Sequence, residues 1–297
     1  MMAFAGAMVW TGCQKNVEED AGKTETPAEQ VEQKTWSLKF DAGKATTQTK
    51  ALILSQDGKG LSAVWESDEH VYVFSTEGEL LSTTPLDVTP KEDNTIAELS
   101  GEITGDFQEA VEMKLLFPRT DWNYSLQYGL LTGDNSIEKL FDYALATITA
   151  TPGEGNTLVV TGDTEFENQQ SIFRFSFKHN SQAINAKTIE IASLGNKIVD
   201  KYDLFTPANI THGTITLALT NATTDPVYAA IRHDNQELEQ KVADTFGFTV
   251  FDNDGVTYKG SKNIPEEAFA NDFISAKNIK LNRLDVALGN TEVNTVL

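Results

Sequence analysis

From Trp36 onward, hydrophobic and polar positions alternate with a period of two. Trp36, Leu38 and Phe40 alternate with Ser37, Lys39 and Asp41, and Phe173, Phe175 and Phe177 alternate with Arg174, Ser176 and Lys178. Ile215, Leu217 and Leu219 repeat the pattern, as do Phe246, Phe248 and Val250. Successive strand side chains point to opposite faces, so this spacing predicts strands with one buried and one wet face. Turn signals separate them at Asp57-Gly58, Thr132-Gly133-Asp134-Asn135, Pro152-Gly153-Glu154-Gly155 and Asp252-Asn253-Asp254-Gly255. Strands punctuated in this way predict an all-β sandwich.

A division is expected near residue 165. The strand Thr157–Val160 and the turn at Gly162-Asp163 close one part, and a strong strand opens at Ser171. Two sandwiches of about 130 residues fit the chain length, over residues 36–165 and 166–297. Helix is confined to short stretches at Ser136–Tyr143 and Asn235–Thr245.

The segment before Trp36 is of another kind. Met1 to Trp10 is apolar or small throughout, the length of a signal-peptide hydrophobic region. It runs into Trp10-Thr11-Gly12-Cys13, which resembles the lipobox of bacterial lipoproteins, whose cysteine becomes the acylated, palmitate-bearing N-terminus. Cys13 is the single cysteine of the chain. Residues 14–35 are polar and acidic with one proline, the composition of a disordered tether rather than of a core around a buried thiol. Residues 1–13 are therefore expected to be a lipoprotein signal and Cys13 the lipidation site. Glu18-Glu19-Asp20 also resembles the signal that carries some Bacteroidales lipoproteins to the cell surface.

Charge and composition narrow the chemistry. Forty-four acidic and 23 basic residues give a net charge of −21, which repels phosphate backbones and argues against nucleic-acid binding. One cysteine excludes an intramolecular disulfide framework and cysteine-rich zinc sites. His70, His179, His212 and His233 are scattered, with no partner at metal-ligand spacing. The chain has no HExxH, GxSxG or phosphate-binding glycine loop. Ser136-Ile137-Glu138-Lys139 matches S-x-x-K without its companion motifs. Asp252-Asn253-Asp254-Gly255 offers oxygen ligands for calcium, but flanked by Phe248–Phe251 and Val256–Tyr258 it reads more simply as a hairpin turn. No cofactor or metal is expected, and no enzyme activity.

Several segments, taken together, resemble the fimbrillin family of Bacteroidales surface lipoproteins, the subunits of type V pili. They are Thr49-Lys50-Ala51-Leu52-Ile53-Leu54; Leu61 to Glu66, running into Asp68-Glu69-His70-Val71-Tyr72-Val73-Phe74; Ala97 to Ile103; and Phe166-Glu167-Asn168-Gln169-Gln170-Ser171-Ile172-Phe173-Arg174-Phe175. The likeness covers residues 36 to 180 and thins beyond. It implies two transthyretin-like Greek-key β-sandwich domains in tandem.

The resemblance also implies a mechanism. In these pilins a protease removes the first strand after the tether, and a strand from another subunit fills the groove. An unpaired sheet edge is a template for another chain, and strand addition restores its hydrogen bonds while seating alternate side chains. Here the removable strand would be Trp36 to Phe40, or would extend toward Leu54. Lys50 stands where the processing residue is expected, with Lys44 nearby; arginine-processed relatives carry arginine there, and the other reading of Lys50 is a solvated turn residue. The donor would come from Leu284, Val286 and Leu288 with the tail Gly289–Leu297, whose other reading is a plain terminal strand and a frayed end. The expected function is a fimbrial subunit or minor pilus component involved in adhesion, at the cell surface, lipid-anchored in the outer membrane or in a fimbrium. Its partners would be other pilin subunits. The alternative is a monomeric surface lipoprotein that binds a glycan or host protein, with Trp122 and Tyr124 as candidate aromatic contacts on an apparent loop; the other reading of Trp122 is burial in the core.

Overall fold

The computed structural model describes residues 33–44, 53–54, 61–62, 64–92, 94–118, 122–129, 141, 143–234, 242–269 and 273–284. The strands of its first part are β1 (Lys34–Lys44), β2 (Ile53–Leu54), β3 (Leu61–Ser62), β4 (Tyr72–Ser75), β5 (Asp87–Pro90) and β6 (Ile96–Gly105). There follow β7 (Val111–Phe117), β8 (Trp122–Asn123), β9 (Leu126–Gln127), β10 (Ala144–Pro152), β11 (Thr157–Thr161) and β12 (Thr164–Asn168). The second part holds β13 (Ser171–His179), β14 (Gln182–Ala183), β15 (Ala186–Ser193), β16 (Ile198–Tyr202), β17 (Thr211–His212) and β18 (Ile215–Thr223). It closes with β19 (Val227–His233), β20 (Asp244–Asp252), β21 (Thr257–Ile264), β22 (Phe273–Lys280) and β23 (Asn282–Arg283). The protein is all-β, and its sheets pack in sandwich fashion.

Alternation decides which face of each strand is buried. In β1, Trp36, Leu38 and Ala42 are buried while Ser37, Lys39 and Asp41 are exposed. Phe173, Phe175 and Phe177 line the inner face of β13; Ile215, Leu217 and Leu219 do so on β18, and Phe246, Phe248 and Val250 on β20. Burying a large apolar side chain contributes roughly 1.5–3 kcal/mol, so a one-residue slip of any of these strands would expose its whole apolar set.

One sheet runs β4-β7-β10-β11-β1-β6-β5, with β12 pairing β1 and β10. A second runs β14-β13-β19-β16-β17 with β22 on β13 and β8 on β16, and a third runs β23-β21-β20-β15-β18-β9. A separate ribbon pairs β2 with β3. The apolar residues form two clusters. One gathers Trp36, Trp65, Leu99, Met113, Phe117 and Phe166; the other gathers Phe173, Phe175, Ile189, Ile231, Phe246 and Phe269.

The segment between β7 and β10 crosses from the first sheet to the others. β8 pairs antiparallel with β16 and β9 pairs parallel with β18. Trp122 is sandwiched between Tyr143 and Tyr202, each stacked at 5.6 Å, and the Arg232 guanidinium lies 3.6 Å over the Tyr202 ring. At the other end of the chain's order, β20 and β21 form the hairpin expected around Asp252. Asp252 Oδ1 accepts hydrogen bonds from the backbone N–H groups of Asp254 and Val256, and its Oδ2 accepts one from the Tyr258 hydroxyl. The helical stretches expected at Ser136–Tyr143 and Asn235–Thr245 lie mostly outside the described residues, although Asp244 and Thr245 already belong to β20.

Candidate functional site: the inserted first strand

Strand β1 lies inside its sheet. On one side it pairs antiparallel with β6 without a break, from Lys34 opposite Gly105 to Gly43 opposite Ile96. On the other it is parallel to its neighbours: Ser37 and Leu38 face Thr157 and Leu158 of β11, and Ala42 to Lys44 face Thr164 to Phe166 of β12. These are the parallel pairings of a sheet whose other described pairs are antiparallel. Parallel neighbours need a long connection, and β1 is reached from β11 and β12 only through more than a hundred residues of intervening chain (on the order of the whole first sheet). It occupies a slot whose walls are β6 on one side and β11 with β12 on the other.

The parallel side has a gap. Between the two short pairings the ladder is interrupted at Lys39, Phe40 and Asp41, and a cavity of about 530 Å³ opens along this stretch, lined also by Val160, Gly162, Asp163, Thr95 and Ile96. The strand is therefore held mainly by β6 and by its two ends.

Each end is fastened by aromatic side chains. At the first, the Trp36 indole N–H donates to the Gly105 carbonyl at 3.0 Å, and its ring meets Phe107 edge-on at 5.8 Å. Gly105 has no side chain because the Phe107 ring occupies the space a Cβ would take. At the second, Trp65 donates from its indole N–H to the Ala42 carbonyl at 3.1 Å. Trp65, Phe117 and Phe166 meet edge to face around this point.

Into this aromatic cage goes Lys44. It is 7% exposed; its Nζ donates to Glu69 Oε1 at 2.8 Å and to the Val64 carbonyl at 3.2 Å. The ammonium lies 4.2 Å from the Phe117 ring centre and 4.5 Å from that of Trp65. Glu69, 8% exposed, uses Oε2 to accept the backbone N–H of Glu66 at 3.0 Å. Desolvated cation–π contacts reach about 2 kcal/mol, and a buried carboxylate without its cation is strongly destabilising. Lys44 thus plugs the end of the slot, a role that the sequence reading, which named it only as a basic residue near Lys50, did not assign. Its position carried a signal: it shares the even-numbered face of Trp36, Leu38 and Ala42.

The other predicted residues divide. Cys13, Lys50, Val286, Leu288 and the tail Gly289–Leu297 lie outside the described residues, as do Ser136–Lys139 and Asp57-Gly58. Trp122 and Tyr124 are 2% and 0% exposed, which is the core reading of Trp122 and corrects that of Tyr124 as a surface contact. The polar neighbours Asn123 and Ser125 mark the short strand's wet side, and both rings pack inward on Tyr143. Tyr124 donates to Gln170 Oε1 at 3.2 Å, and burial pushes its hydroxyl pKa well up against the opposing pull of Arg232.

The buried histidine is a packing element. His233 stacks on Phe269 at 4.0 Å, and its Nε2 lies 2.9 Å from Asp244 Oδ2. Burial lowers its pKa, outweighing the Asp244 hydrogen bond that favours the charged form. Burial raises the Asp244 carboxyl, but hydrogen bonds from Ser193, His233 and the Thr245 backbone more than offset it, so its pKa is lowered. His212 pairs with Asp234 at 2.7 Å on the surface. Among the described residues no cluster of three or more His, Cys, Asp or Glu could hold a metal ion, and no helix is long and apolar enough to cross a membrane.

No protein-family model matches the chain, and no curated protein matches it. Solved structures similar to it include a candidate cell adhesion protein from Bacteroides ovatus, with 11% identity, TM-score 0.43, and coverage of 84% of this chain and 95% of that one. A candidate adhesin from the same species gives 11% identity and TM-score 0.35 over 83% and 93% of the two chains. The fimbrial anchor protein Mfa2 from Porphyromonas gingivalis gives 10% identity and TM-score 0.30 over 72% and 78%.

Proposed function

We propose that the chain is a pilin-like subunit, or minor component, of a bacterial surface fibre, involved in adhesion and assembled by exchange of strand β1. The observation that carries this reading is the placement of β1 as a parallel insert, paired along its length with β6 but only at two short stretches with β11 and β12. A strand so held is separable from its sheet, and its loss would leave a groove with a complete ladder edge on β6 to receive another strand. In this proposal the two hydrophobic clusters are the cores of two transthyretin-like Greek-key sandwich domains, with Phe166 packing in the first. Cys13 is the lipid anchor to the outer membrane, Lys50 the cleavage position that frees β1, and the tail beyond Leu288 the donor. The rival reading, a monomeric glycan or host-protein binder, loses its named aromatic contacts because Trp122 and Tyr124 are buried.

The test is polymerisation of soluble protein from residue 14 onward. It is trimmed with trypsin, incubated and run unboiled on SDS gels beside the same chain stopped at Leu288. A ladder that needs both the trimming and the tail is the expected result. Trimmed protein that stays monomeric overturns the reading.

A further inference from the structure

Strands β13 and β22 make a basic ribbon on a chain of net charge −21. Residues 171–189 and 273–284 contain no Asp or Glu and hold Arg174, Lys178, Lys187, Lys277, Lys280 and Arg283. The two strands are parallel, and their register sets Lys178 directly beside Lys280. Both lysines lie on the face opposite the buried Phe175, Phe177, Ala276 and Ile279. Like charges at neighbouring cross-strand positions repel and destabilise, and among the described residues neither lysine is ion-paired. A repulsion left uncompensated on so acidic a chain points to an anionic partner.

This end of the ribbon is also the root of the carboxy-terminal tail. The Leu281 N–H donates to the Lys178 carbonyl at 2.9 Å, the Leu281 carbonyl accepts from His179 Nδ1 at 2.9 Å, and the Leu281 side chain is buried. The Leu284 N–H donates to the Thr257 carbonyl at 2.8 Å. The donor proposed above begins past Leu288. Four residues, about 14 Å at full extension, thus link the pinned Leu284 to the segment that enters the slot. The lysine pair is carried to the mouth of the slot with the donor.

A donor that keeps the register of β1 with β11 and β12 runs as β1 runs. It enters where Lys34 stands, beside Gly105 of β6 and the turn at Asn156, whose carbonyl accepts the Ser37 N–H. Around this mouth Glu102 on β6, Asp106 just beyond it and Glu154 in the turn before β11 are exposed. None of the three is ion-paired among the described residues. Withdrawal of β1 removes Lys34 and Lys39, and with Lys39 the 2.7 Å partner of Glu98, four residues before Glu102 on the same face of β6. The empty slot is therefore more acidic than the filled one. Two copies that repel overall need a local patch of opposite sign to meet in a fixed orientation.

We propose that Lys178 and Lys280 dock on Glu102, Asp106 and Glu154 of a second copy, so that the basic root of one tail meets the acidic mouth of the next β1 slot. This rests on the strand-exchange reading above, with the tail as donor, and names the surfaces that bring tail and slot together.

The test uses the trimmed chain of the ladder assay and reads the initial rate at which unboiled ladders grow. Lys178→Gln with Lys280→Gln relieves the like-charge contact, so urea unfolding should find this chain at least as stable as the native one. It should nevertheless assemble about 10-fold more slowly in low salt, and Lys178→Glu with Lys280→Glu more slowly still. Adding Glu102→Lys and Glu154→Lys to that last chain should return its rate to within about 3-fold of native, because the two surfaces again carry opposite signs. Raising the salt should narrow the gap between the native and glutamine chains. Equal rates for the native and glutamine chains in low salt overturn the docking and leave strand exchange standing. Slowing that the added lysines do not reverse overturns the assignment of Glu102 and Glu154 as the partner surface. A native chain that forms no ladder overturns strand exchange, and the docking with it. The glutamine comparison uses only neutral substitutions of surface lysines, so it stands even if a charge-reversed chain folds poorly.

Discussion

Replacing Lys44 by methionine in the intact chain tests whether the cage is as dry as its geometry says. The substitution keeps an unbranched side chain one heavy atom shorter and removes its charge. It abolishes the 2.8 Å contact with Glu69 and the 3.2 Å bond to the Val64 carbonyl, together with both ring contacts. Breaking a buried pair by removing one partner costs about 3–5 kcal/mol, chiefly because the other charge stays behind. The exposed pair Lys39–Glu98 sets the opposite scale, since a pair like it, 67% and 32% exposed at the side chains, is worth about 0–1 kcal/mol. Lys44→Met and Glu69→Met should therefore each cost about 3–5 kcal/mol. The double substitution should return to within about 1–2 kcal/mol of the native chain, because well-packed apolar replacements of buried pairs are often neutral. The remaining deficit includes the bond from the Glu66 N–H to Glu69, worth roughly 1 kcal/mol. Urea unfolding followed by circular dichroism yields the four free energies and closes the cycle. Single substitutions that each cost under about 1 kcal/mol, or a double substitution that costs their sum, would refute the reasoning: the pair would then be solvated.

Three further outcomes are expected. Trp36→Ala should cost about 3–5 kcal/mol in urea unfolding and should speed hydrogen exchange at the Lys34–Leu38 end of β1 ahead of the Ala42–Lys44 end, since the Gly105 and Phe107 contacts are lost at one end only. Limited trypsin digestion of native protein, read by mass spectrometry, should leave the bond after Lys44 intact because that side chain is 7% exposed, while Lys50 is the expected cleavage position; early cleavage at Lys44 would contradict the burial. The stability should fall as pH drops below about 6.5: burial lowers the folded-state pKa of His233, so the unfolded chain binds more protons in that window and folding weakens. Denaturation of His233→Gln across pH 5 to 7.5 should show a smaller decline, and an unchanged slope would sink that assignment.

The buried faces were legible from sequence because alternation is local. A strand places neighbouring side chains on opposite sides whatever it pairs with, so Trp36 and Leu38, the three phenylalanines from Phe173 to Phe177, and Phe246 to Val250 could be assigned to the interior without a fold. The turn at Asp252–Gly255 was legible for the same reason, since its hydrogen bonds run within five residues. What tertiary structure alone decided is which elements meet. Trp122 and Tyr124 sit among polar neighbours and read as a loop, yet where β8 pairs with β16 both rings pack on Tyr143, and Trp122 also on Tyr202. Parity already put Lys44 on the inward face, but a lysine at a strand end can swing out to water, and nothing local says that it does not. Burial there required Glu69 and Trp65 from the following segment and Phe117 from β7 to converge on one ammonium group. Sequence dictates the face a side chain prefers because that preference belongs to the strand itself; it does not display the partners that make a buried charge tolerable, because those are brought together only when distant strands pair.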